Sequence, residues 1–173
     1  MKKVIVLLPL VLVFALQSCM ISRQPKMEYF KENRDAYPTA DFVTIKVPML
    51  VARTIARQAL RDEGFSYAEA KNMTSKITGV RVMAVNNASM QMNRDFNNYL
   101  SAHQFEEWMT IKKDSETITI QAKQENEKVR KMFLTVRSED KTVYIDVSGK
   151  FTADDISEMI NLSERNAVKF KIN

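Results

Sequence analysis

The chain has 173 residues, 45% hydrophobic and 27% charged, with a formal net charge of +5, three glycines, one cysteine and one histidine. Gly64, Gly79 and Gly149 stand too far apart to build a glycine-rich phosphate or dinucleotide loop. One Cys forbids an internal disulfide or a cysteine zinc site, and one His forbids a histidine-pair metal site, so neither metal nor cofactor is expected.

Lys2 and Lys3 precede an apolar run from Val4 to Leu16, interrupted only by Pro9. That run is shorter than the roughly 20 residues a spanning helix needs, and it reads as a secretory signal peptide. Leu16-Gln17-Ser18-Cys19 follows, with a branched apolar residue three before the Cys and a small residue just before it. The pattern resembles a bacterial lipobox, which implies cleavage after residue 18 and acylation of Cys19 with palmitate-type chains. Two or three acyl chains suffice for stable membrane anchoring. Lys2 and Lys3 leave with the signal and take two of the five net positive charges with them. The modest remainder and the exported address argue against nucleic-acid binding.

Residues 19–40 show no sustained periodicity and read as a lipidated N-terminus and tether that carries the domain clear of the lipid, with Met27, Tyr29 and Phe30 able to pack on the domain and order its last part. Residues 41–173 read as one domain. Val43, Ile45 and Val47 alternate as a strand. A helix follows Pro48, with Leu50, Val51, Ile55, Ala59 and Leu60 as its apolar positions and Gly64 as its stop. Ser66-Tyr67-Ala68-Glu69 is a capping box opening a second helix. Ile77 to Val85 is a β-branched strand, and Asn86 or Asn87 would cap a helix reaching Ala102.

Four short strands then succeed one another, around 105–111, 118–122, 132–136 and 143–147, with Gly149 closing the last. Thr152-Ala153-Asp154-Asp155 starts a final helix with Ile156, Met159 and Ile160 as its buried stripe. The expected fold is α+β: a largely antiparallel sheet with a four-strand C-terminal meander and helices on one face.

The Val-Thr-Ile-Lys-Val strand, the Lys76-to-Val82 segment, Trp108-Met109-Thr110-Ile111-Lys112-Lys113-Asp114 and Tyr144-Ile145-Asp146-Val147-Ser148-Gly149 follow the lipobox in order. This order resembles the Bacteroidetes lipoproteins grouped as domain of unknown function 4252. The resemblance implies an exported, lipid-anchored α+β domain and assigns no functional residue. Lipoproteins of that phylum bound for the cell surface carry acidic residues soon after the Cys. Met20-Ile21-Ser22-Arg23-Gln24 lacks them, which points to the periplasmic face of the outer membrane.

Arg53, Arg57 and Arg61 fall on one helical stripe and are the candidate contact for an acidic or lipid partner. Asp154 and Asp155 suit helix capping better than paired acid–base chemistry, and Ser101 with His103 lacks an orienting third group. Phe96, Tyr99, Phe105 and Trp108 suit a core. No catalytic constellation is found. The sequence therefore leads to a non-enzymatic interaction module of the cell envelope, held at the membrane through Cys19, with an envelope protein or lipid as partner and with no oligomeric state indicated. The alternative is a carrier for a lipid or small apolar ligand in a cavity between sheet and helices.

Overall fold

The computed structural model describes residues 21–113, 115–139 and 141–158. Its strands are β1 (Ile21–Ser22), β2 (Asp41–Val47), β3 (Ile77–Asn86), β4 (Glu106–Lys113), β5 (Glu116–Glu125), β6 (Lys128–Arg137) and β7 (Lys141–Thr152). Helices are α1 (Glu28–Glu32), α2 (Met49–Asp62), α3 (Tyr67–Ser75) and α4 (Met90–Ala102), with α5 starting at 153 and described as far as 158. All neighbouring strands are antiparallel, in the order β1-β2-β3-β7-β6-β5-β4. The expected α+β class and the four-strand meander are present. β3, β2 and β1 extend that meander to seven strands, because β7 pairs on its second edge with β3.

Local chemistry accounts for the element boundaries. Ser66 Oγ accepts from the Glu69 amide at 3.3 Å while the Ser66 amide donates to Glu69 Oε2 at 2.8 Å, the capping box read from the sequence. Thr152 and Asp155 repeat the arrangement at the start of α5, with bonds of 2.8 and 3.2 Å. The cap of α4 is Ser89, not Asn86 or Asn87, since its hydroxyl accepts from the Met92 amide at 3.0 Å. Asn87 sits instead at φ 56°, a turn conformation that Asn tolerates well. Gly149 lies inside β7 and does not close it. The Phe151 ring folds over its Cα so closely that an added Cβ would lie 2.1 Å from it.

Helices cover both faces of the sheet, not one. Phe42, Met83, Val85, Phe133 and Tyr144 pack against Met92, Phe96 and Leu100 of α4. The residues one step along those strands point the other way, where Val80, Met132, Leu134 and Val147 meet Met49 and Ala56 of α2 and Ile156 of α5. Met159 and Ile160, expected to continue that stripe, lie outside the described residues. α2 turns a different side inward from the one its apolar pattern suggests. Ala52 is buried, while Leu50, Val51 and Ile55 are exposed. Two alanines one turn apart allow a close approach of helix to sheet, which the bulkier side chains would prevent.

The stretch read as a tether is built into the domain from Ile21 onward. β1 pairs with β2, Met27, Tyr29 and Phe30 are buried in the larger core, and Tyr29, Tyr37 and Asp95 form a hydrogen-bonded chain at 2.6 and 3.1 Å. Burial, followed by the bond from Tyr29, pushes the Tyr37 hydroxyl well above its ordinary pKa. Phe30 has no exposed surface and touches the rings of Phe42, Phe96 and Tyr144 at 4.7–5.9 Å. Phe30→Ala should therefore cost about 3–5 kcal/mol in urea unfolding. A midpoint within error of the parent protein would show that this segment is not part of the core.

Candidate functional site

The three arginines of α2 share a helix but do not form one cluster. Arg53 is half-buried and turns toward the end of α3, donating from Nη2 to the Ile77 carbonyl at 2.9 Å and to the Ser75 carbonyl at 3.4 Å. The Ser75 carbonyl is at the negative end of α3, where a guanidinium satisfies an otherwise orphaned acceptor, and Ile77 is the first residue of β3. Arg57 lies with its guanidinium carbon 5.7 Å from the centre of the Tyr67 ring, a cation–π contact. Arg61 is exposed. Arg53→Ala should thus cost about 1–3 kcal/mol in thermal or urea unfolding, whereas Arg61→Ala should stay within about 0.5 kcal/mol of the parent. Equal losses at both positions would contradict the structural role of Arg53.

The remaining sequence candidates separate in space. His103 Nδ1 lies 2.7 Å from the Tyr99 carbonyl, and no hydrogen bond joins it to Ser101. Asp155 is held by Lys76, whose Nζ lies 2.6 Å from its carboxylate, while Asp154 is exposed. Burial pushes the Asp155 carboxyl up, but the bonds from Lys76 and Thr152 together outweigh it and hold it below the usual range. Trp108 packs half-buried against the α2 side of the sheet, as a core residue would. Among the described residues, no group of three His, Cys, Asp or Glu side chains could hold a metal. Cys19 lies outside the described residues.

A groove absent from the sequence reading lies where α1 and the end of α4 meet β3, β5, β6 and β7. It encloses about 770 Å³. Phe96, Phe105 and Phe133 form its floor, joined by edge-on ring contacts of 5.5 and 5.3 Å. The walls carry charge of both signs: Lys26, Lys31, Arg81, Lys123, Arg130 and Lys131 against Glu28, Glu32, Glu125 and Asp146. Arg81, Asp146, Phe133 and Gln121 stand side by side on four adjacent strands. Arg81 ties the N-terminal segment down by donating to the Lys26 carbonyl at 3.0 Å, and its Nη1 lies 3.7 Å from Asp146 Oδ2.

Asp146 is the unusual member. It is only 8% exposed, and its Oδ1 has no hydrogen-bond partner. Burial pushes its carboxyl up, and the positive charges of Lys131 and Arg81 only partly oppose this. A carboxylate left short of partners costs folding free energy. Because the folded pKa is raised, the cost is absent below the unfolded value near 3.9 and grows as pH rises through the folded value. Asp146→Asn should therefore raise the melting temperature at pH 7, and the gain should shrink as pH falls toward 4. A pH-independent gain, or a loss at pH 7, would refute the assignment. The sequence held one signal for this groove: Arg81 and Asp146 are charged residues two strand positions from the buried Met83 and Tyr144, and Lys131 stands likewise beside Phe133.

An antiparallel α+β domain with a charged groove defines a class of fold, not a reaction. Residues 38–159 match the profile of domain of unknown function 4252, and the chain belongs to that family. No curated protein and no solved structure matches the chain. Among the described residues, no helix is long and apolar enough to cross a membrane.

Proposed function

We propose that the protein is a lipoprotein anchored through Cys19 to a bacterial membrane, the periplasmic face of the outer membrane, where it acts as a non-enzymatic binding module of the cell envelope. The groove beside α1 supports this reading. Its aromatic floor supplies apolar contact, and its walls supply cations and carboxylates in an open trough, a surface suited to a polypeptide segment carrying charges of both signs. The arginines of α2 contribute less to such a site, since Arg53 is committed to backbone carbonyls.

The carrier reading draws support from the same aromatic floor, Phe96, Phe105 and Phe133. A deep apolar cavity would suit a lipid better than a trough walled by charged side chains. The two readings separate experimentally. A photo-crosslinking residue at Glu28 in the living cell should give adducts with an envelope protein, and Lys123→Glu with Lys131→Glu should reduce their yield. Undiminished yield would exclude the groove as the contact. Lipid retained by the parent protein in native mass spectrometry, and lost with the same pair of changes, would favour the carrier.

A further inference from the structure

The apolar side chains left exposed by α2 have a geometric relation to Cys19. β1 begins at Ile21, two residues after the Cys. Two extended residues span at most about 7 Å, so acyl chains on Cys19 would emerge beside the β1 edge of the sheet, with no stalk between. Ile21 is 59% exposed and pairs with Ile45 of β2. Ile45 points to the same face as Val82, the next inward position from Val80, which packs under α2. β2 leads through Pro48 directly into α2, where Leu50 is 81% and Ile55 63% exposed, with Val51 between them in space and also exposed.

We infer that this ridge of α2 rests on the lipid bilayer and that the anchored domain sits in one orientation against the membrane. The inference depends on the proposed acylation of Cys19. The occupant is lipid, and not a free protein, because the anchor leaves too little chain for the β1 edge to move away. A surface joined to its target by so short a link meets it at an effective concentration that a diffusing partner does not match. The composition of the ridge agrees. Arg61 is exposed at the distal end of α2, and Tyr67 with Arg57 stacked on it stands beside the helix. Aromatic and cationic side chains of this kind sit at the headgroup level and favour anionic lipid. The groove beside α1 lies on the opposite face of the sheet, directed away from the membrane.

The test uses the full-length acylated protein in vesicles of phosphatidylethanolamine and phosphatidylglycerol. Leu50→Cys, Ile55→Cys and, as control on the opposite face, Asn98→Cys each receive an environment-sensitive fluorophore. In vesicles, labels at 50 and 55 should shift to the blue and lose quenching by a water-soluble nitroxide, while the label at 98 stays quenched. Acylated, vesicle-bound protein whose labels at 50 and 55 are quenched like that at 98 would overturn the docked orientation and leave the anchor standing. An intact mass showing no acyl group on Cys19 would overturn the anchor and the orientation with it. Shielding at 50 and 55 that grows with protein concentration before vesicles are added would assign the ridge to a second copy of the chain, also overturning the inference.

Discussion

Both faces of the central strands are apolar, and a sheet built that way cannot turn either side to water. Met83 and Val85 of β3 point to one side, Val80 and Val82 to the other, and β6 and β7 alternate in the same way. The cost of leaving such a sheet uncovered, about 25 cal/mol for each Å² of apolar surface, requires a cover on each side. On one side that cover is α4, with α1 wedged beside it. On the other it is α2 and the start of α5. The N-terminal segment is thus recruited into the domain because the sheet needs it: the rings of Tyr29 and Phe30 fill space that α4 alone leaves between itself and the strands.

That recruitment has a functional side. By laying Lys26 to Glu32 over one end of the sheet, the fold creates a trough whose floor is core and whose walls are surface. Asp146 sits where the two meet. A carboxylate there costs stability, and a domain that keeps such a group trades some stability for the polarity of the site. The arginines of α2 follow a different logic. Arg53 closes the end of the next helix, so the regular spacing of three cations reflects in part how α2 and α3 are fastened together.

The sequence was most legible where the signal was local. The meander from β4 to β7, the box at Ser66 and Glu69, and the stop at Gly64 each follow from a few neighbouring residues. Legibility failed where a choice depended on distant contacts. In α2, the larger apolar residues and the alanines form two rival faces, and only the close approach of the sheet at Ala52 and Ala56 selects the smaller one. The segment before Pro38 lacks periodicity because α1 is too short to repeat an apolar pattern, and its aromatic residues are placed by tertiary contacts with α4 and β7. The groove gathers its walls from five elements spread between Lys26 and Ser148, and no window of sequence contains it.

The irregularities at one end of the sheet carry a further consequence. Ile77 and Val80 belong to the same apolar cluster though three residues apart, and so do Val129 and Met132. In an unbroken strand such a spacing would put each pair on opposite sides. Thr78 is the extra residue of β3 against β7, and Arg130 is the extra residue of β6 against Lys123 and Gln124 of β5; each resets the alternation by one step, so the two act as phase shifters. Their identity matters less than their number. A substitution at either position leaves the phase intact, whereas deleting one residue would swing Ile77 or Val129 into the polar end of the groove and draw a neighbour's polar side chain into the core.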